Sequence, residues 1–544
     1  MLKKNVIPHI IILSPILFLI GMKNYAYYWD GVEYSWKIEN LQIKELFHRH
    51  HLLYTPFCKL IYLFLKVIGF EIRAIDVLIW INIIFGIFFL AISFMILRRL
   101  IPNSPFSASI GTLLISFSYT FGHFFRNADP YIIPIALLAF ILLRISDEKN
   151  GIFTFRVDVF SWLLLFFAVL IHQLSILFLP ALMYAQIVSF EKRYWKKTVF
   201  VFLVFIVALL ITYLVVFITT RDGKTLEAFI KWMSGYATRR FWIFQESEGF
   251  FPSIGKSIFE GIMSNITLFL APVIKANIRL PENFIYDGDP FFGNLVCWIL
   301  FIILLWLIFD GLRKMYMTPG YKRISKFMLI WLLPYIIFLQ FFTPYNYFYR
   351  LFYLLPLSIA IVYGGGKLIK PVRNKFAGSA FLTAFFLLNF IFGYIPDNII
   401  LNNRYLVMTN EIVKYSTRDD LFIFPASSDY KEAVYLKYFG DRDIAFFKQF
   451  PVEEYSELTD QKLKSICNES REWLIQNYDK LFIAFSREVG WTGYNRYNIS
   501  SSGKNAPYLL LLNQNQLSLN EKYVFAEKSF RTVILHNITS KITY

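Results

Sequence analysis

Apolar runs long enough to cross a bilayer recur along this 544-residue chain, and they constrain its fold more than any other feature. A helix of about 20 predominantly apolar residues spans the hydrocarbon core. The first run, 6–22, follows Lys3 and Lys4 and lacks a small-residue cleavage site, so it reads as a retained signal anchor. Further runs lie at 75–97, 106–125, 131–144, 159–171, 174–189, 198–219, 290–310, 327–342, 351–365 and 378–394. The stretch 159–189 is too long for one comfortable span and short for two, so two short helices broken near His172, as a re-entrant pair, accommodate it. This predicts a mainly α membrane protein, a polytopic bundle of about 11 transmembrane helices. Composition agrees, with 56% hydrophobic residues, 60 Phe and only 17% charged residues. A soluble chain carries about 25% charged residues. Disorder, a fibrous repeat and an ordinary cytosolic enzyme are excluded. Cys58, Cys297 and Cys467 are too few and too scattered for a disulfide framework or a zinc cluster.

A net charge of +17 in a soluble protein would point to nucleic acid, but here it follows topology. With a cytoplasmic N-terminus, the inner segments 1–5, 98–105, 145–158, 190–197, 311–326 and 366–377 hold 19 Lys and Arg in 63 residues, against 7 in 52 for the outer loop 23–74. That bias obeys the positive-inside rule, and no nucleic-acid partner is expected. Three large pieces then fall outside: 23–74, 220–289, and everything past about 395. The last loses the Phe-rich runs and gains strand-like alternation at Leu421–Phe424 and Leu481–Ala484, with helical stretches at 430–438 and 460–478. The expected organisation is a transmembrane domain over 1–394 and an extracytoplasmic soluble α/β domain over 395–544, with the boundary near Pro396. The localisation expected is a bacterial inner (plasma) membrane.

Candidate chemistry gathers at the outer face. Asp30 follows the first span by a few residues, in Tyr25-Ala26-Tyr27-Tyr28-Trp29-Asp30-Gly31-Val32-Glu33. A carboxylate there suits a general base for a hydroxyl, and equally suits a cap on the span's exit. The segment His48-Arg49-His50-His51-Leu52-Leu53-Tyr54 invites a metal reading, yet adjacent His50 and His51 cannot share one helix face. No carboxylate or cysteine completes a metal site, so a partly cationic patch near a phosphate is the better reading. A divalent metal is compatible with the sequence but not required by it. Asp129 precedes Pro130, which by itself reads as a helix N-cap before a first-turn proline. The topology nevertheless puts Asp30, His50, His51, His123, Asp129 and His172 at one membrane level. Arg239 and Arg240 in the second outer loop, and Arg350 beside Tyr347 and Tyr349, lie where a lipid phosphate would sit, and a guanidinium can fork two of its oxygens. Gly364-Gly365-Gly366 reads as a helix end. P-loop, Rossmann, nucleophile-elbow and HExxH patterns are absent.

The arrangement resembles the GT-C superfamily of integral-membrane glycosyltransferases, which includes protein O-mannosyltransferases and the lipid A aminoarabinose transferase. The likeness covers roughly 1–394. It rests on Asp30 early in the first outer loop, on His50-His51-Leu52-Leu53-Tyr54, on Asp129 opening the fourth span, and on the helix pair broken at His172. The C-terminal α/β segment looks like an appendage many such enzymes carry. The resemblance implies a sugar donor linked to a polyprenyl phosphate and a lipid, glycan or protein acceptor, with membrane lipids around the site. It also implies Asp30 as catalytic base and Asp129 as a second carboxylate. Gly31 stands where several branches have a second acidic residue, and Glu33 is the nearest substitute. On the residues, His50, His51, Tyr54, His172, Arg239, Arg240, Tyr347 and Arg350 are the substrate-binding candidates. A polysaccharide polymerase or ligase, or a lipid-linked glycan transporter, are the alternative classes. A transporter would place ionisable groups in mid-membrane, where these spans carry almost none.

Overall fold

The computed structural model describes residue 17 and residues 19–101, 104–149, 152–189, 195–221, 224–234, 250–271, 291–365, 372–400, 403–416, 418, 420–425, 431–447, 480–486, 511–512, 517–518, 523–525 and 533–537. Its contacts divide the chain into two units, Met1–Ile399 and Ile400–Tyr544. Most of the first apolar run, the Arg239-Arg240 pair and the helix expected at 460–478 lie outside the described residues.

The first unit is a polytopic helical membrane protein. Among the described residues, Ala74–Leu100, Lys196–Thr220, Pro319–Phe341, Tyr347–Gly364 and Ser379–Asp397 are long and apolar enough to cross a membrane. Shorter apolar helices cover Pro105–Phe117, Ile132–Ile145, Val159–Ile171 and Gln173–Val188. The break expected at His172 is present, because its ring Nδ1 accepts from the Leu174 N–H (3.2 Å) and caps the next segment. Apolar side chains such as Phe200, Leu203, Val207 and Ile211 stay exposed along one helix, as a lipid-facing surface requires.

Two long connecting segments, 23–74 and 220–289, are more structured than their sequence implied. The first contains helices Trp29–Asn40 and Tyr54–Val67. The second contains Leu226–Ser234 and Phe250–Phe269. Short amphipathic helices leave no unbroken apolar run, so a search for spans passes over them. The run 106–125 is likewise two helices, Pro105–Phe117 and Tyr119–Phe124, parted at Ser118. Buried Asn389 makes that break tolerable. Its Nδ2 donates to the carbonyls of Phe117 and Phe269 (both 2.7 Å), and its Oδ1 accepts from the Ala271 N–H (2.6 Å).

Gly364 is more than a helix end. The helices Phe291–Met317 and Leu354–Gly364 approach so closely that a Cβ at Gly311 would collide with the Ala360 carbonyl, and one at Gly364 with the Leu307 carbonyl. Only glycine permits this backbone contact.

The second unit contains a five-stranded sheet made of β1 (Asp420–Pro425), β2 (Asp443–Phe447), β3 (Lys480–Ser486), β4 (Tyr523–Phe525) and β5 (Val533–Asn537). Its spatial order is β2-β1-β3-β5-β4. β1 runs parallel to β2 and β3, with Ile423 opposite Ala445 and Ile483, while β5 is antiparallel to β3 and β4. Helix Lys431–Phe439 makes the β1–β2 crossover.

Replacing Gly311 by Val should lower the melting temperature of the purified protein sharply, by at least the ~1–3 kcal/mol typical of overpacking, because a carbonyl opposite cannot rotate away. Gly255→Ala, where a Cβ would meet nothing within 4 Å, is the control and should leave melting unchanged or slightly raised.

Candidate active site

The centre of the site is the turn 125–131, between helices Tyr119–Phe124 and Ile132–Ile145. Three successive carbonyls of this turn are held by side chains from other helices. Asn82 Nδ2 donates to the carbonyls of Asn127 (2.6 Å) and Asp129 (2.8 Å), and the Tyr54 hydroxyl donates to that of Ala128 (2.6 Å). The turn is therefore rigid although it has no regular structure. Asp129 is fully buried, and neither carboxyl oxygen has a hydrogen-bond partner among the described residues. The N-cap reading of Asp129 fails, since the following helix begins at Ile132 with Tyr131 as its N-cap residue. Burial, and secondarily the charge of Asp30, push the Asp129 carboxyl well above the usual carboxylate range.

Asp30 reaches this place through a second irregular segment. Asn127 Nδ2 donates to the Ala26 carbonyl (3.1 Å), and its Oδ1 accepts from the Tyr28 N–H (3.4 Å), zipping 24–28 onto the turn. Helix Trp29–Asn40 then seats Gly31 on Ala128, where a Cβ would lie 3.0 Å from the Ala128 Cβ and 3.2 Å from its carbonyl carbon. A side chain here would crowd the turn that holds Asp129. Asp30 itself is half-buried. Glu33 is one helix turn on and ion-pairs with Lys37, so it does not join the pair.

The histidines arrive by a third segment. The Leu53 N–H donates to the Leu170 carbonyl (2.9 Å), and Gln173 Nε2 donates to the Arg49 carbonyl (2.7 Å), so 49–53 lies along the break at His172. His50 Nδ1 is 2.9 Å from Gln173 Oε1. The His51 and His172 rings meet at 4.6 Å between centroids. Tyr131 lies 5.3 Å from His172, and Tyr349 lies 5.9 Å from it. The expectation of a partly cationic histidine patch is corrected by burial, which lowers His48 well below the ordinary value and pushes His51 down to about 3. Among the described residues no cluster of His, Cys, Asp or Glu could hold a metal ion.

Tyr347–Tyr353 is a 3-10 turn that sends successive side chains in different directions. Tyr349 faces His172, and the Tyr347 ring stacks 6.3 Å from that of Tyr119. Arg350 turns the other way and is 1% exposed. Its Nη2 donates to the Pro344 carbonyl (2.9 Å), which also accepts from Ser264 (2.6 Å), and its Nε is unpartnered. Tyr54 has its hydroxyl committed to Ala128, which makes it a positioning residue.

Sequence reasoning missed the group behind the turn. Asp397, 1% exposed, binds His123 Nδ1 (2.8 Å) and lies 4.0 Å from Arg126, tying the end of the last span to the turn. Its one sequence signal is a lone carboxylate directly after Pro396 at the close of an apolar run.

Asp129→Asn should raise the melting temperature at pH 7. A carboxyl whose folded-state pKa is raised destabilises the fold as pH climbs above the unfolded value, near 4 for Asp. The gain over wild type should therefore shrink toward pH 4, grow as pH rises from there, and level off once pH passes the raised folded value. Melting curves across that range check it.

No protein-family model and no curated protein match the chain. Solved structures do. ArnT from Cupriavidus metallidurans in the apo state superposes with a TM-score of 0.50 at 11% identity, covering 97% of this chain and 97% of that one. The same protein bound to undecaprenyl phosphate gives a TM-score of 0.49 with the same identity and coverage. The Archaeoglobus fulgidus oligosaccharyltransferase tethered to an acceptor peptide gives 0.49 at 11% identity, over 95% of this chain and 74% of that one. The likeness to apo ArnT, at 97% coverage of both chains, shows that this chain shares the fold of that protein.

Proposed function

We propose that this protein is a membrane glycosyltransferase that moves a sugar from a polyprenyl-phosphate-linked donor to an acceptor hydroxyl at the extracytoplasmic face. The observation that carries the reading is the carboxylate pair: half-buried Asp30 beside fully buried Asp129, whose two oxygens are unpartnered. Burial favours the protonated form of Asp129, and half-buried Asp30 beside it is the carboxylate left to take a proton. Asp30, at the mouth, removes the acceptor proton as its oxygen attacks the anomeric carbon. The bond from that carbon to the phosphate oxygen breaks, and the electron pair leaves on the prenyl phosphate. Attack in line with the leaving group inverts the anomeric centre. Asp129, holding its proton, donates a hydrogen bond to the sugar.

A prenyl-phosphate sugar cannot leave the bilayer, so its phosphate must meet a cation at the membrane edge. Arg350 fits this role, with an Nε still able to donate; Tyr347, His50, His51 and His172 border the donor. The Lys and Arg asymmetry supports the placement outside the cytoplasm.

The deciding experiment incubates the purified chain with prenyl-phosphate sugars and follows release of prenyl phosphate. Asp30→Asn should lower turnover by about 10²–10⁴-fold, the usual worth of general base catalysis, and Glu33→Gln should cost far less. Full turnover by Asp30→Asn would favour a polymerase that relies on Arg and His. Arg350→Lys should weaken binding of undecaprenyl phosphate by losing the fork, and Arg350→Ala should weaken it more. Unchanged binding by the alanine variant would remove Arg350 from the donor site. Reporter fusions near residue 370 and at the C-terminus should report opposite sides of the membrane.

A further inference from the structure

Two buried imidazoles beside the carboxylates each have one nitrogen already engaged by backbone, and those bonds fix the tautomers. His172 Nδ1 accepts from the Leu174 N–H (3.2 Å), so Nδ1 carries no proton and the neutral ring has its hydrogen on Nε2. Among the described residues that buried Nε2–H has no partner. His51 bonds the backbone of Ile171, an interaction in which the ring nitrogen donates. Its other nitrogen, Nδ1, is then a bare lone pair, and it too is buried and without a partner. One ring thus offers an unmet donor and the other an unmet acceptor, with the ring centroids 4.6 Å apart. They do not satisfy each other. An unmet buried polar group costs about 1–3 kcal/mol, and here two lie side by side.

A group that both donates and accepts one hydrogen bond meets both needs, and a hydroxyl is such a group. The surroundings are those of a saccharide: the Tyr131 ring is 5.3 Å from His172, the Tyr34 ring 5.9 Å from His51, and the Tyr349 ring 5.9 Å from His172. Tyr131 also lies within the field of Asp30 and Asp129, so the imidazole pair stands one aromatic ring from the carboxylates. From these contacts we infer that His51 and His172 form a hydroxyl-reading subsite, in which one hydroxyl of the transferred sugar donates to His51 Nδ1 and accepts from His172 Nε2–H. The inference rests on the glycosyltransferase reading and adds to it the atoms that recognise the sugar. A deoxy sugar at that position, or one bearing a bulkier amide, leaves both imidazoles unsatisfied and is discriminated against.

Each variant can remove one nitrogen and keep the other. His172→Asn places an amide oxygen near Nδ1 and can still cap Leu174, but lacks Nε2–H. His51→Gln places an amide NH₂ near Nε2 and can still bond Ile171, but lacks Nδ1. The full-length protein in detergent is titrated with undecaprenyl phosphate, bare or carrying mannose, glucose or arabinose. The preferred sugar lipid should lose roughly tenfold in affinity with either variant, while bare undecaprenyl phosphate binds as to wild type. Because a single hydroxyl bridges both rings, the double variant should lose little more than either single one. Equal loss for the bare lipid, no loss for the sugar lipid, or fully additive losses in the double variant would each overturn the subsite. If wild type binds no sugar lipid better than bare lipid, the subsite and the donor assignment fall together. If wild type discriminates and the variants do so equally well, only the subsite falls.

Discussion

Three carbonyls in a row that side chains must satisfy, those of Asn127, Ala128 and Asp129, are the constraint on which the candidate site is built. Inside an apolar bundle an irregular turn is tolerated only if its backbone groups find partners. Asn82 and Tyr54, from two different helices, provide them. Asn389 does the same where the helix breaks at Ser118. These few buried amides and one phenol let the chain abandon helical structure at the outer level of the bundle without an energetic penalty for open backbone. Two segments that lead to candidate functional side chains are zipped onto the bundle there: 24–28 through Asn127, and 49–53 through Gln173 and Leu170.

The rigidity so obtained supports groups that oppose folding. Asp129 sits buried with both oxygens unsatisfied, beside another carboxylate that raises its proton affinity further. His51 and His172 each hide a nitrogen with nothing to bond. Four such atoms lie within a few side chains of one another here, and that concentration marks the candidate site more sharply than any single residue does. Asp397 is as deeply buried, but one of its carboxyl oxygens bonds His123 and its carbonyl accepts from the Tyr25 N–H, which ties it to the turn.

The part Gly31 plays is visible only in three dimensions. In sequence it is one small residue after Asp30. In space it is the contact that lets the Trp29–Asn40 helix rest on Ala128 and so brings Asp30 beside Asp129. Glu33, the apparent substitute, faces Lys37 on its own helix.

The membrane class and nearly every apolar helix were legible in the sequence, because a bilayer demands long apolar runs and such runs have no other common use. The level at which Asp30, Asp129, His51 and His172 meet was legible too, since span ends lie at one depth whatever the packing. Tertiary structure alone decided which of those residues touch. A short amphipathic helix such as Tyr54–Val67 or Phe250–Phe269 leaves no long run to detect. The protonation of a histidine depends on burial that spacing does not encode, which is why burial disfavours the charged form of His48 and His51 in a segment read as partly cationic. The buried amides that hold the turn carry no motif, because their partners are backbone carbonyls, and a carbonyl's need for a donor is invisible until the helix around it is seen to stop.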